Sequence, residues 1–195
     1  MSHMSHTDLH RVVYCALFTA LIIIGGYISI PIGPVPMTLA DFFVMMAGLF
    51  LGLRYGVISV VVYIGLGALG LPIFAGGRAG LGVLMGPTGG FLIGYVCMAA
   101  AIGVIMGKGK VSTVRCVMAL LAGNIFLYAM GISWLKIVAP YMGVIPQMSW
   151  PAALAAGLIP FVPGMVVKIA VASALGRAFL LRFSTLQTRS VNKKQ

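Results

Sequence analysis

Four polar side chains stand out in this chain as able to do chemistry: Lys168, Arg78, Asn124 and Asp41. Each lies in or beside a long apolar run, where a charge or an amide must find a partner. Lys168 follows the breaks at Pro160 and Pro163 and sits in the second turn of an expected helix. At the centre of a membrane span a lysine costs about 2.5–3.5 kcal/mol on insertion scales. Near a span's end it can instead snorkel to the interface. No acidic residue is close to it in sequence, so its partner is Asp41 across space or a ligand anion held with help from the helix N-terminus. Arg78 offers a planar fork of donors for a carbonyl or carboxylate. Asn124 offers a donor and an acceptor, as an amide or urea group requires. Tyr128 stands one turn further on the same face. Asn124 is either a ligand contact or glue between helices. Asp41 is either a ligand contact or a charge at a helix start, favoured by the dipole.

This is binding chemistry rather than catalysis. His3, His6 and His10 crowd the N-terminus, and the carboxylates are two, Asp8 and Asp41. General acid–base or zinc chemistry therefore has few candidates, and a membrane-embedded enzyme is the weaker alternative. Cys15, Cys97 and Cys116 show no paired spacing, so neither a disulfide framework nor a metal site is expected. There is no Walker A sequence, hence no expected ATP site and no cofactor in this chain.

The elements that must position these groups are spans. Hydrophobic residues make up 61% of the chain, charged ones 8%, and mean hydropathy is +1.11, which excludes a water-soluble domain. Uncharged runs cover 12–40, 55–77, 79–107, 116–135 and 137–167. Most exceed the roughly 20 residues a spanning helix needs. Alternating polarity is lacking, so a barrel is not expected. The reading is an all-α integral membrane protein with six transmembrane helices in a domain over 12–182. Flexible cytoplasmic tails are expected at 1–11 and 183–195.

The expected helices run over 12–30, 37–53, 55–71, 87–106, 114–135 and 163–181, with a short helix at 151–159 leading into the sixth. Pro31, Pro34 and Pro36 close the first. Thr38 or Asp41 can cap the second. A loop is expected over 137–150, with Trp134 and Lys136 as interfacial anchors. Between helices 3 and 4 lies GGRAGLGVLMGPTGGFLIG, with glycine at eight of its nineteen positions, 76–94. Glycine permits positive φ and close backbone approach. Irregular backbone in a membrane survives only where protein buries it or where it lines a cavity. The stretch, with Gly80 and Thr88, thus reads as a ligand site, or else as tight helix packing.

Basic residues are divided unevenly between the two ends of the expected bundle. Arg11, Arg54, Lys108, Lys110, Arg115, Arg177, Arg182, Arg189, Lys193 and Lys194 fall on one side. Arg78 and Lys136 fall on the other, with Lys168 inside a helix. The positive-inside rule then places both termini in the cytoplasm, and the net charge of +11 reports topology rather than nucleic-acid binding. The glycine-rich loop and the proline break before helix 6 face outward, as capture of an external solute would require.

GLGVLMGPTGGFLIGY (80–95), with its Leu71-Pro72 and Phe74–Gly77 lead-in, and IPFVPGMVVK (159–168) resemble the BioY family. These are the biotin-binding substrate (S) components of energy-coupling factor (ECF) transporters, and the likeness spans nearly the whole chain. It implies a six-helix protein of a bacterial cytoplasmic membrane with an outer biotin pocket. The implied partners are a transmembrane coupling protein and two ABC-type ATPases, so that ATP acts only through partner subunits. Ala16 and Ala20 resemble the small-residue face that meets the coupling protein. Lys168 matches the family lysine after Pro-Gly, which implies a biotin contact. Family members commonly carry aspartate directly after that Pro-Gly, whereas this chain has Met165, so an acceptor for the ureido group must come from elsewhere, Asn124 first. Arg78 is expected at the carboxylate end. Another vitamin on the same scaffold is the alternative that Met165 leaves open.

Overall fold

The computed structural model describes residues 6–107, 112–143 and 147–192. Lys108, Lys110, Lys193, Lys194 and Pro146 lie outside them, as do the side chains of Arg182 and Arg189. The described chain is helical: α1 (His6–Tyr27), α2 (Ala40–Ala68), α3 (Leu81–Met85), α4 (Gly89–Met106), α5 (Thr113–Tyr141), α6 (Trp150–Gly157) and α7 (Val162–Asn192). Among the described residues, five segments are long and apolar enough to cross a membrane: Leu9–Tyr27, Ala40–Ala68, Gly89–Met106, Thr113–Tyr141 and Trp150–Ala178.

Several boundaries differ from the sequence reading, each for a local reason. Helix α1 already runs through His6–Arg11, and α7 continues beyond Leu181 to Asn192. The expected break at Arg54 falls instead at Gly52, whose φ of 70° and ψ of −168° interrupt α2. A methyl group on Gly56 would lie 3.0 Å from the Ala47 carbonyl oxygen. In straight helix nine residues rise roughly 13 Å. The chain therefore reverses at Gly52, and the two halves of α2 lie side by side. The loop expected over 137–150 is helical to Tyr141, because Pro140 sits in the last turn of α5 and ends it rather than breaking it. The triple-proline segment turns tightly enough to close a short antiparallel ladder, β1 (Ser29–Ile30) with β2 (Met37–Thr38). Within the glycine-rich stretch, Ala75–Gly77 forms a single 3₁₀ turn and α3 follows.

The bundle has two chemically distinct ends. Arg11 and Arg54 both approach the Tyr55 ring, at 5.5 and 5.7 Å. A methyl group at Gly103 would meet the Leu53 backbone nitrogen at 2.3 Å, and Arg115 Nε donates to the Ile105 carbonyl at 2.7 Å. These arginines thus share the end where α2 reverses. The other end gathers Thr38, Asp41, the glycine-rich loop, Trp134 and Lys168. Trp134 Nε1 donates to the Gly86 carbonyl at 2.9 Å, and the Lys136 ammonium stands 4.5 Å from the Trp150 ring centroid.

Close packing of α4 on α5 depends on missing side chains. A methyl group on Gly90 would fall 2.1 Å from Trp134 Cβ and 2.8 Å from the Met130 carbonyl oxygen. Gly131 would drive one into the Phe91 ring at 2.4 Å. Small residues that let helices touch along their backbones are the usual basis of association in lipid. Gly90→Ala should therefore lower the unfolding temperature in detergent, at a cost of about 1–3 kcal/mol for overpacking. Gly82→Ala, with nothing within 4 Å of the added carbon, is the matched control. Equal melting of the two variants would show that α4 and α5 do not meet at Gly90.

Candidate ligand-binding site

At the end away from the arginine cluster, α1, both halves of α2, α4, α5 and α7 surround a cavity with about 700 Å³ of empty space, its mouth included. The irregular segments form much of its wall. Val35, Pro36 and Thr38 come from the turn before α2, and Phe74, Ala75 and Arg78 from the loop after it. Phe91 and Leu92 project from α4 one turn before Tyr95, and Leu127 and Tyr128 from α5. Phe161 and Lys168 come from the proline-broken lead into α7 and its second turn.

The cavity is largely aromatic. Tyr128 stands edge-on to Phe91, with centroids 6.4 Å apart at 84°, and meets Phe161 at the same separation. Tyr63 packs edge-on against Phe74 at 5.5 Å. Such rings present a large apolar surface, while the tyrosine hydroxyls keep some polarity. The Tyr95 hydroxyl lies 3.4 Å from Thr38 Oγ1.

Set into this wall is an ion pair. Lys168 Nζ donates to both Asp41 carboxylate oxygens, at 2.7 and 2.9 Å, and to the Thr38 carbonyl at 2.6 Å. The Lys168 and Asp41 side chains are 13% and 10% exposed. Of the two partners the sequence allows for Lys168, the fold supplies Asp41. The two residues are 127 positions apart in sequence and are joined by the meeting of α2 and α7 at this end. Asp41 also occupies the first turn of α2, where its charge meets the positive end of the helix dipole.

The six expected ligand contacts separate into two groups. Lys168, Arg78, Tyr128 and Thr88 line the cavity. Asn124 and Gly80 are not among the lining residues. Asn124 is 2% exposed and acts between helices, its amide nitrogen donating to the Leu120 carbonyl at 2.8 Å and to Met45 sulfur at 3.3 Å. Gly80, at φ 86°, shapes the loop and donates its N–H to the Gly67 carbonyl. Asp41 brings a carboxylate acceptor to the cavity wall, while the Asn124 amide oxygen is buried with no hydrogen-bond partner among the described residues. Met165 is partly buried and packs against the core. Ala16 and Ala20 are exposed on α1. Tyr63, Phe74, Phe91, Tyr95 and Phe161 do not stand out in the sequence, where one aromatic residue in an apolar run reads like another.

Removing one partner of a buried pair leaves an uncompensated charge and costs about 3–5 kcal/mol, whereas replacing both is often neutral. Lys168→Met should therefore melt well below the parent, and adding Asp41→Asn should restore much of the loss. Thermal unfolding in detergent checks this. A double variant no more stable than Lys168→Met would mean that the two groups are not coupled in the fold.

The fold has counterparts among known proteins. A crystal structure at 2.1 Å of the S-component for biotin from an ECF-type ABC transporter matches with a TM-score of 0.79 and 31% identity, covering 91% of this chain and 94% of that one. The biotin transporter BioY of Thermotoga maritima is 39% identical over 167 residues, covering 86% of this chain and 94% of the relative. That of Rhizobium etli is 38% identical, covering 96% of this chain and 100% of the relative. The model of the BioY family matches residues 1–185, and this chain belongs to the BioY family.

Proposed function

We propose that this chain is the biotin-binding component of a membrane transporter, and that biotin occupies the aromatic cavity around Asp41 and Lys168. The observation that carries the reading is this cavity's content in a BioY family chain: a desolvated ion pair inside a mostly apolar chamber, with Arg78 on its wall. Biotin has a neutral urea head, an apolar ring and chain, and one carboxylate. A chamber with those three chemistries, and little other charge, suits it.

Capture from outside would be followed by release inside. The reversal at Gly52 supports counting six crossings: α1, the two halves of α2, α4, α5, and α6 with α7. The arginine-rich end supports a cytoplasmic side there, in the cytoplasmic membrane of a bacterium, with both termini inside. The chain carries no Walker A sequence, so uphill transport would draw on an ECF transmembrane coupling protein and two ABC-type ATPases, with ATP used only by those subunits. The exposed Ala16 and Ala20 are the proposed contact for the coupling protein. No cofactor is proposed for this chain.

The reading is tested by calorimetry on purified protein with biotin, beside lipoate, thiamine and riboflavin. Biotin should bind far more tightly than the others. Phe161→Ala, which removes one ring of the chamber, should weaken biotin roughly 10–100-fold, the scale expected for truncating a buried aromatic side chain at a ligand. Tighter binding of another vitamin than of biotin would redirect the assignment.

A further inference from the structure

The end of the bundle opposite the cavity gathers more positive charge than the chain can answer from within. Arg11 of α1 and Arg54 of α2 both approach the Tyr55 ring, at 5.5 and 5.7 Å from its centroid. One ring thus holds two like charges together. Arg115 belongs to the same end. Its Nε–H donates to the Ile105 carbonyl at 2.7 Å, and Gly103, two residues earlier in α4, packs on the Leu53 backbone beside Arg54. The chain has two acidic side chains in all, and Asp41 is held by Lys168 at the other end. Three arginines cannot all be neutralised by the one acid that remains. Arg54 is exposed and meets no carboxylate among the described residues.

The surface that continues from these arginines is apolar. Ile58 and Val62 follow Arg54 at four-residue spacing, so the three share one face of the second half of α2. They are 40% and 43% exposed. Tyr14, one turn from Arg11 on α1, is also exposed. Both helices are long and apolar enough to cross a membrane. The reversal at Gly52 sets Arg54 at the end of a crossing, which is the level of lipid head groups.

A ligand for this place must be anionic at one end and apolar along its length. Guanidinium groups hold phosphate oxygens by paired, charge-assisted hydrogen bonds. A soluble phosphate would use the arginines and leave the apolar track bare. A zwitterionic lipid would bring its own cation into a cluster of cations, where like charges repel. A lipid of net negative charge meets both demands.

We propose that Arg11, Arg54 and the Tyr55 ring between them, flanked by Arg115, form a binding site for an anionic phospholipid. The head-group phosphate bridges Arg11 and Arg54, and an acyl chain lies along Ile58 and Val62. The bound lipid fastens the start of α1 to the reversal in α2. The site is independent of the cavity and of what fills it.

The test uses the full chain, purified in a non-ionic detergent. Phosphatidylglycerol and phosphatidylcholine with matched acyl chains are added together, and retained lipid is counted by native mass spectrometry. Unfolding temperature is followed with each lipid alone. The parent should retain phosphatidylglycerol over phosphatidylcholine by at least about tenfold, and the former alone should raise its unfolding temperature. Arg54→Gln should cut the preference about fivefold, the scale of one arginine at an anionic lipid surface. Lys136→Gln, which removes the same charge at the opposite end, should leave it unchanged. The ratio is read within one sample, so a small loss of stability in a variant cancels. Equal retention of the two lipids by the parent would overturn the proposal. An equal loss in Arg54→Gln and Lys136→Gln would also overturn it, since the lipid would then answer to net charge alone. Inorganic phosphate that stabilises the parent as well as phosphatidylglycerol does would make this a soluble-anion site and remove the lipid.

Discussion

The contact between Asp41 and Lys168 is the constraint around which the cavity end of the molecule is arranged. Neither charge could be held in this apolar setting alone, since each would need water that the surrounding helices exclude. Together they fix three parts of the chain. Asp41 opens α2, Lys168 sits in the second turn of α7, and the Thr38 carbonyl ends the ladder formed by the triple-proline turn. The ammonium therefore ties a helix start, a turn and a distant helix into one wall. The proline breaks make this possible, because α7 must begin within the bundle for its second turn to lie level with Asp41. Such a pair adds little net stability compared with a well-packed apolar substitute. Its value is in placing polar groups at fixed positions within an otherwise hydrophobic chamber.

Packing in the rest of the bundle serves a different end. Apolar side chains gain nothing by leaving lipid for one another, so helix association must come from close approach. Gly90, Gly94, Gly103, Gly123 and Gly131 all sit where an added carbon would press on a neighbouring helix. The α4 and α5 backbones meet closely in consequence. Their large residues, Phe91, Tyr95 and Tyr128, project into the cavity from this shared wall. Small residues between the helices and large ones at the cavity are two sides of one sequence pattern.

Much of this was legible in the sequence, and what was not has a physical cause. The spans, the proline turns and the charge asymmetry followed from composition and from the cost of burying charge. Lys168 and Arg78 were conspicuous because cations in apolar runs demand an explanation. Asn124 was equally conspicuous, but its partners turned out to be the Leu120 carbonyl and Met45 sulfur. Periodicity cannot tell a polar group facing a cavity from one held between helices. The reversal at Gly52 was placed two residues late because Arg54 marks an interface while glycine makes the turn. Partners far apart in the chain, such as Asp41 and Lys168, could be suggested but not chosen. That choice depends on how helix lengths bring their ends level.

The glycine-rich stretch completes the site by joining a flexible backbone to a rigid anchor. Gly70, Gly76, Gly77 and Gly80 all have positive φ, and so let the loop double back over the bundle without strain. Freedom alone would leave Arg78 unplaced. Phe74 supplies the anchor: it is 1% exposed, packs edge-on to Tyr63, and lies where any side chain at Gly67 would collide with its ring. The Phe74 N–H donates to the Arg78 carbonyl at 2.9 Å, closing the three-residue turn between them. The Arg78 backbone is thereby fixed to a ring embedded beside the chamber, while its side chain remains exposed. An exposed cation needs no permanent counter-charge, whereas the burial of Lys168 demands the one that Asp41 supplies.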